Sequence, residues 1–454
     1  MEILVYAIVF SLILIVSNAT NKLIPTLPLP LIQIVLGIGI GFLLPNSEYH
    51  LDTELFLALV IGPLLFREAE EADITSILKH WRIIAFLIFP VIFISTLSLG
   101  WLAHLLWLGI PLAACMAVGA ALGPTDLVAF ASLSERFTFP KRVSNILKGE
   151  GLLNDASGLV AFRVALAAWT TGAFSLGQAS WDLAVSILGG FAVGIVTAAV
   201  NRGLQKLLLS VRATDIASEL ILELSLPLLT FFIAEEIHVS GIIAVVVAGI
   251  LKASRIKKIT LLEAKVDTVT HTVWNTVNFV LNGYVFVLLG IELEMISEPI
   301  LRTPFYNNLL LIVTVLLLTG FLFLIRFLMV YGFYWYRGFR LKKSIDKYLK
   351  DALLLTFSGV KGAVSIATIL LIPTHLEAEY PVLLFLVAGV TLCSFLIGLL
   401  ILPKLSEDKE ESNDHLMHIA ILNDVVMLLE KELTVTKQKG PLYAAIDNYH
   451  GRIE

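Results

Sequence analysis

Repeated apolar runs of membrane-spanning length constrain this sequence more than any other feature. An α-helix rises about 1.5 Å per residue, so about 20 apolar residues cross the hydrocarbon core of a bilayer. Of the 454 residues, 57% are hydrophobic and 15% are charged, whereas soluble domains carry about 25% charged residues. The sequence therefore predicts an all-α polytopic membrane protein. Its net charge of −5 gives no indication of nucleic-acid binding.

About 13 runs have the length and composition of transmembrane helices. We expect the first run to be a membrane span and not a cleaved signal peptide, because Glu2 stands where a leader would be basic. Proline and glycine separate several neighbouring runs. The runs lie near residues 3–19, 28–44, 53–70, 81–107, 111–133, 143–169, 181–204, 216–235, 239–253, 273–293, 306–334, 351–372 and 381–403.

Basic residues are concentrated in alternate loops, and Arg302 is the exception to this pattern. By the positive-inside rule, this bias predicts a protein of the cell (inner) membrane with its N-terminus outside and its C-terminus in the cytoplasm. An odd number of helices is required for that orientation. We expect a transmembrane domain over residues 1–403 and a cytoplasmic tail over 404–454, with an amphipathic helix near 415–433.

Six ionisable residues lie well inside the apolar runs, where contact with lipid would cost about 2.5–3.5 kcal/mol each. Glu150 is expected to form a structural charge pair with Arg326 or Lys361, and no partner can be assigned to Arg163. Such pairing leaves a carboxylate over, and a carboxyl group buried without its own cation readily exchanges a proton for another cation. The six residues are Asp126, Glu150, Asp155, Arg163, Arg326 and Lys361.

Two helices are expected to be interrupted close to these charges. Pro124 in the fifth run has no N–H to donate, and residues 358–362 of the twelfth run (SGVKG) are rich in glycine. If helices 1–6 and 8–13 are inverted repeats, these two discontinuous helices correspond to each other. Paired interruptions near the bilayer midplane are typical of the substrate site of a transporter. Asp126 and Lys361 would then compensate the dipoles of the half-helices.

The sixth run brings the polar residues of the predicted site together. Glu150 and Asn154 share one helix face, and Asp155 lies about 100° further round. Small residues on the same helix permit close approach of the fifth helix, so that Asp155 can reach Asp126. Carboxylate, amide and hydroxyl oxygens suit a small hard cation, and no cysteine–histidine metal pattern or phosphate-binding loop is present.

Three segments, GPTDLVAF, KGEGLLNDASGLVAFRVA and FSGVKGAVSIA, resemble the bacterial sodium/proton antiporters of the NhaP type, which are related to the animal sodium/hydrogen exchangers. The resemblance covers about residues 1–403. It implies 13 helices in two inverted six-helix repeats, a homodimer and elevator-like alternating access. It also implies an ion and proton site at Asn154, Asp155, Thr125 and Asp126, beside a Glu150–Arg326 pair.

This sequence departs from the family pattern at three places: Gly151 replaces a frequent serine, Leu127 follows Asp126 where proline is usual, and Lys361 replaces an arginine. Members of the family also use an acidic residue in the third helix. Glu68 is the nearest match here.

The sequence therefore leads to the hypothesis of a secondary active Na⁺(Li⁺)/H⁺ antiporter, not an enzyme, with Na⁺ bound at Asp155, Asp126 and Thr125. Exchange of one charge for one charge at Asp155 predicts electroneutral transport without a cofactor. A K⁺/H⁺ antiporter of the same fold remains an alternative. An intramembrane aspartyl protease using Asp126 and Asp155 is another, although Gly-Pro-Thr-Asp lacks the Gly-x-Gly-Asp pattern of that class.

Overall fold

The structure, a computed structural model, is almost entirely α-helical. It describes residues 2–24, 27–43, 53–72, 74–126, 129–130, 137–171, 176–211, 215–253, 261–302, 308–341, 346–372 and 380–408. The amphipathic helix predicted near 415–433 lies outside the described residues. The predicted boundary between a membrane domain and a tail at residues 403 and 404 therefore stays a prediction.

In the part of the chain that the structure describes, 17 α-helices follow one another in chain order. The first eight are α1 Glu2–Leu23, α2 Leu29–Leu43, α3 Thr53–Phe56, α4 Gly62–Glu71, α5 Ile74–Lys79, α6 Trp81–Phe86, α7 Ile92–Leu106 and α8 Leu112–Ala121. The next nine are α9 Lys141–Thr171, α10 Leu176–Ser210, α11 Ile216–Glu236, α12 Gly241–Ala253, α13 Leu261–Arg302, α14 Asn308–Leu341, α15 Asp346–Phe357, α16 Ala363–Ile369 and α17 Tyr380–Leu405.

Seven continuous helical stretches among the described residues are long and apolar enough to cross a bilayer. The predicted all-α class is thus confirmed for this part of the chain, whereas the predicted number of 13 helices stays a prediction. The seven stretches are Trp81–Leu106, Lys141–Thr170, Ala184–Leu208, Ile216–Glu236, Val269–Glu294, Asn308–Gly338 and Tyr380–Leu405.

Several helices differ from their predicted bounds for a physical reason. The run predicted at 273–293 is part of the 42-residue helix α13, because its polar flanks continue the helix beyond the apolar part. Two helices contain a wider π-helical turn, at Leu57–Ile61 and at Leu87–Val91. The second turn contains Pro90, which cannot donate a backbone hydrogen bond, and widening the helix there accommodates it.

Helix α11 begins at a side-chain cap. Asp215 precedes the helix, and its carboxylate accepts a hydrogen bond from the backbone N–H of Ser218 at 2.8 Å. Hydrogen bonding from Ser218 lowers the pKa of the Asp215 carboxyl group below its usual value. An ionised aspartate at this position satisfies a donor that the first helical turn leaves without a partner.

Residues 136–138 and 407–454 cluster as a compact unit, and residues 1–135 and 139–406 as another. In the smaller unit, the described residues form a two-stranded antiparallel pair of β1 (Phe137–Thr138) and β2 (Glu407–Asp408). Phe137 lies opposite Asp408 in this pair.

Helices α2 and α13 cross at a pair of glycines. A Cβ atom on Gly37 would overlap the carbonyl oxygen of Val287 and lie 3.0 Å from the Cα of Gly290. A Cβ atom on Gly290 would likewise overlap the carbonyl oxygen of Ile34. The two backbones are therefore in direct contact, as is common where membrane helices pack through small residues.

This close packing of α2 on α13 predicts that Gly37→Ala lowers the stability of the protein. The added methyl group has to push α2 away from α13, and overpacking of this kind costs about 1–3 kcal/mol. Gly39→Ala on the same helix serves as the control, because a Cβ atom on Gly39 would have no atom within 4 Å. Thermal unfolding of the purified protein in detergent should show a lower melting temperature for Gly37→Ala only. Equal melting temperatures for Gly37→Ala and Gly39→Ala would contradict the close packing of α2 on α13.

Candidate functional site

Two interruptions of helical structure meet inside the larger unit. Helix α8 ends at Ala121, and the chain is not helical from Gly123 to Asp126. Helix α15 ends at Phe357, and α16 begins at Ala363 after a non-helical segment. The backbone N–H of Asp126 donates a hydrogen bond to the carbonyl oxygen of Val360 at 3.0 Å. This contact, called here the crossing, joins the two interrupted segments.

The side chain of Lys361 stabilises the crossing by binding carbonyl oxygens. Its buried ammonium donates hydrogen bonds to the carbonyl oxygens of Gly123 at 2.8 Å and Pro124 at 2.6 Å. These carbonyls follow the end of α8, where the helix dipole is negative and the last carbonyls lack helical partners. Lys361 therefore neutralises the end of α8, and Glu150 has another partner.

The backbone of Lys361 is held by a neighbouring helix. Its N–H donates a hydrogen bond to the hydroxyl oxygen of Ser394 at 3.0 Å, and that hydroxyl donates to the carbonyl oxygen of Thr391 at 2.8 Å. Sequence reasoning missed Ser394, because one serine in an apolar helix carries no signal of such a contact. The pair of hydrogen bonds attaches the non-helical segment to α17.

Asp126 lies at the start of α16, whereas Lys361 binds the end of α8. Its Oδ1 accepts a hydrogen bond from the backbone N–H of Ala129 at 2.9 Å. Its Oδ2 occupies the space that a Cβ atom on Gly362 would fill, directly before the first residue of α16. A negative charge is favourable at the start of a helix. The two charged residues of the crossing are thus placed at helix ends of opposite polarity.

Glu150 and Arg326 form a buried bidentate pair between α9 and α14. Arg326 donates from Nη1 to Glu150 Oε1 at 2.7 Å and from Nη2 to Oε2 at 2.8 Å. Its Nε donates to the carbonyl oxygen of Leu355 at 3.0 Å. Only 1% of Glu150 and 3% of Arg326 is exposed, so neither charge depends on solvent for its stabilisation. Two-point geometry makes such pairs the strongest hydrogen-bonded ion pairs.

Thr125 and Asn154 connect this pair to the crossing. The Thr125 hydroxyl donates a hydrogen bond to Glu150 Oε1 at 3.1 Å and accepts one from Asn154 Nδ2 at 2.7 Å. Asn154 Nδ2 also donates to the carbonyl oxygen of Thr125 at 2.8 Å. A hydroxyl group has one proton and two lone pairs, so a single lone pair of Thr125 remains for another ligand.

Asp155 is buried on α9 beside the crossing. It interacts electrostatically with the like charge of Asp126 and with the opposite charge of Lys361. Within the described residues, its Oδ1 has no hydrogen-bond partner. Gly158 brings α9 close, because a Cβ atom there would overlap the ring of Pro124. Oδ1 of Asp155 is therefore available to a cation or a proton.

Glu68, on α4, also belongs to this group electrostatically. Its carboxylate interacts with the like charges of Asp126 and Asp155 and with the opposite charge of Lys148. Lys148 is exposed, whereas Glu68 Oε2 is buried. The sequence placed Glu68 here only through the family resemblance, and its position beside Arg67 gave no independent reason.

Arg163 was predicted as a buried charge without an assignable partner, and this interpretation is wrong. Its side chain is 53% exposed, and its Nη2 lies 3.7 Å from Oε2 of Glu235. The long side chain reaches from α9 to the end of α11. The position of Arg163 within its own apolar run could not predict this contact. Arg163 therefore takes no part in the buried group of charges.

The arrangement as a whole favours the binding of a cation. Among the described residues around the crossing, four carboxylates lie with two buried cations. Of these cations, Arg326 is bound by Glu150, and Lys361 is bound by carbonyl oxygens. Asp126, Asp155 and Glu68 repel one another when ionised. A proton or a small metal cation relieves this repulsion.

Comparison with known proteins shows that this sequence is similar to several transporters. The sequence matches the family of transmembrane sodium/hydrogen exchangers over residues 7–407. It is 37% identical over 415 residues to the "Sodium, potassium, lithium and rubidium/H(+) antiporter" of Bacillus subtilis, and 36% identical over 418 residues to the protein of that name from Bacillus pumilus. Each alignment covers 90% of this chain, and the chain spans 62% of the length of these relatives.

Two further proteins extend this comparison. An uncharacterised Na(+)/H(+) exchanger of Escherichia coli is 32% identical over 440 residues, which cover 91% of this chain and 78% of that protein. The solved structure of the sodium proton antiporter MjNhaP1 from Methanocaldococcus jannaschii matches with a TM-score of 0.66 and 18% identity, over 89% of this chain and 98% of that one. The two chains share a fold.

The buried pair predicts that Glu150→Gln destabilises the protein strongly. The substitution leaves the guanidinium of Arg326 buried without its counter-charge, and breaking a buried ion pair costs about 3–5 kcal/mol. Glu235→Gln is the matched control, since it removes the half-exposed partner of Arg163, where such pairs contribute about 0–1 kcal/mol. Thermal unfolding and the yield of folded protein should distinguish the variants. Comparable losses in both would contradict this assignment.

Proposed function

Because this chain belongs to the sodium/hydrogen exchanger family, we propose that it exchanges a monovalent cation for protons across the cell membrane by secondary active antiport. The observation that carries this proposal is the position of Asp155. Its carboxylate is buried beside Asp126, while the buried cations Arg326 and Lys361 are bound by other groups. A group in this setting alternates readily between a bound proton and a bound metal ion.

The proposed cycle uses one site with alternating access. When the site is open to one side, Asp155 loses its proton and binds Na⁺ or Li⁺ together with the carboxylate of Asp126. When the site is open to the other side, a proton displaces the ion. Asn154 carries no charge, so exchange at a single carboxylate moves one charge for one charge and is electroneutral.

The other polar residues have distinct roles in this proposal. Thr125 offers one remaining lone pair to the ion, and its hydrogen bonds to Glu150 and Asn154 hold it in place. Glu68 adds a third negative charge that attracts a cation. Glu150 and Arg326 keep α9 and α14 together and do not bind the ion.

The arrangement of the protein in its membrane is part of the same proposal. The concentration of Lys and Arg in alternate loops supports an N-terminus outside and a C-terminus in the cytoplasm. We expect a homodimer, as the family resemblance implies.

A second candidate is K⁺/H⁺ exchange at the same site. The observation that favours it is the name of the two Bacillus relatives, which includes potassium and rubidium as well as sodium and lithium. The same carboxylates would bind K⁺ if the site provides the greater width and number of oxygen ligands that a larger ion needs.

The first prediction from this proposal is that Asp155→Asn abolishes cation-driven proton movement. The amide is close in shape to the carboxylate but neither ionises nor exchanges a proton. Asp215→Asn is a matched control, since asparagine also caps a helix and Asp215 lies at the exposed start of α11. Proteoliposomes with a pH-sensitive dye should respond to added Na⁺ for the wild type and for Asp215→Asn only. A full response from Asp155→Asn would refute the assignment.

The second prediction concerns the ion and the charge. Na⁺ and Li⁺ should each drive the change in internal pH, whereas an equal response to K⁺ would favour the second candidate. Electroneutral exchange should proceed at the same rate when a membrane potential is imposed on the vesicles. A rate that depends on the potential would show that exchange moves net charge and is not electroneutral.

A further inference from the structure

Helix α4 is bound at its Glu71 end by a group of residues that the proposed exchange cycle does not use. We call this group the charge network, and its members are Arg67, Glu70, Glu71, Glu223, Lys252 and Trp274. Within α4, Arg67 Nη1 lies 2.9 Å from Glu70 Oε2, and Nη2 lies 2.6 Å from Glu71 Oε1. Only 8% of the Arg67 side chain is exposed. Its charge is therefore fixed toward one side of the helix.

The network connects α4 to three other helices. Lys252 on α12 lies 3.4 Å from Glu70 Oε1 and 2.7 Å from Glu223 Oε2 on α11. Trp274 on α13 donates its indole N–H to Glu223 Oε1 at 3.0 Å. The ion pairs and this hydrogen bond thus form a continuous chain from α4 through α12 and α11 to α13.

Aromatic rings close the network. The guanidinium of Arg67 lies 5.9 Å from the centre of the Trp274 ring, and the ammonium of Lys252 lies 5.6 Å from the Phe66 ring. The rings of Phe66 and Trp274 are 6.0 Å apart. Both aromatic side chains are fully buried, and a cation is attracted to the face of a ring in such a setting. Trp274 therefore holds Arg67 on one side and Glu223 on the other.

Glu68 follows Arg67 directly but points elsewhere. Neighbouring residues of an α-helix point about 100° apart. With Arg67 held toward Trp274, Glu68 interacts with Asp126 and Asp155 at the crossing. In the part of the chain that the structure describes, Glu68 Oε2 has no hydrogen-bond partner. Within the described residues no hydrogen bond to Oε2 fixes the direction of Glu68, whereas Arg67 is bound by Glu70, Glu71 and the Trp274 ring.

We propose that the charge network sets the rotation of α4 and so positions Glu68 toward the exchange site. Lys252 and Trp274 are positioning residues in this proposal, because they act through Glu68 and do not touch the ion. The inference rests on the proposed cation/proton exchange. It adds that the position of Glu68, the third carboxylate, determines part of the affinity for cations. A change in the network should therefore alter how strongly the site attracts cations, and leave the maximal rate of exchange largely intact.

The test compares purified variants reconstituted at equal protein content. Lys252→Met leaves Glu70 and Glu223 without the charge between them, and we expect the Na⁺ concentration for half-maximal exchange to rise about threefold or more, with the rate at saturating Na⁺ within about twofold of the wild type. Lys252→Glu should raise the half-maximal concentration at least as much, because it places a third carboxylate beside Glu70 and Glu223. Arg202→Met is the control, since the exposed Arg202 also contacts α12, through the carbonyl oxygen of Leu251, but lies outside the network.

A second comparison tests whether the network acts through Glu68. In the Glu68→Asp background the carboxylate is already drawn back, so adding Lys252→Met should not raise the half-maximal concentration further. If Lys252→Met does not fold, Trp274→Phe makes the same test, because it keeps an aromatic ring at this position, although a smaller one, and removes the N–H bond to Glu223.

Three results would overturn the inference. They are an unchanged half-maximal concentration in folded Lys252→Met or Trp274→Phe, a fall in the maximal rate alone, and additive effects with Glu68→Asp. An absence of exchange in both the wild type and Arg202→Met would instead refute the proposed function, so the two failures are distinguishable.

Discussion

The bidentate pair of Glu150 and Arg326 is the interaction on which the rest of this structure depends. Two full charges are stable in an apolar interior only when each nearly cancels the other. The pair binds the buried Arg326, and Glu150 also accepts a hydrogen bond from the hydroxyl of Thr125. Arg326 is therefore not available to Asp155. The site keeps its excess of negative charge because the arginine that could neutralise it permanently is already bound.

The crossing solves a related problem for the backbone. Each interrupted helix leaves carbonyl or amide groups without helical partners, which is costly away from water. Lys361 satisfies carbonyls at one helix end, Asp126 lies at the start of another, and one backbone hydrogen bond joins the two segments. The same residues thus make the interruption tolerable and place a carboxylate where an ion can reach it.

Much of the site could be predicted from the sequence, because charges in apolar runs are few and each needs a reason. Asp126, Asp155 and Glu150 were identified in this way, and Pro124 indicated the interrupted fifth helix. The partners could not be predicted, since they depend on how distant helices approach. Depth along the chain could not distinguish Arg326 from Lys361 as the partner of Glu150, and it wrongly placed Arg163 in the interior. The short helix α5 and the role of Trp274 carried no periodic or compositional signal.

The long sequence separation of the partners has a consequence for how the protein is made. Glu150 finds Arg326 only 176 residues later, and the carbonyl of Gly123 finds Lys361 only 238 residues later. While the chain is being synthesised, its first half therefore holds a buried acid and an open helix end whose partners do not yet exist. Until α14 and the segment that carries Lys361 enter the membrane, water or the insertion machinery has to satisfy those groups. The exchange site is therefore completed only after Lys361 has been synthesised.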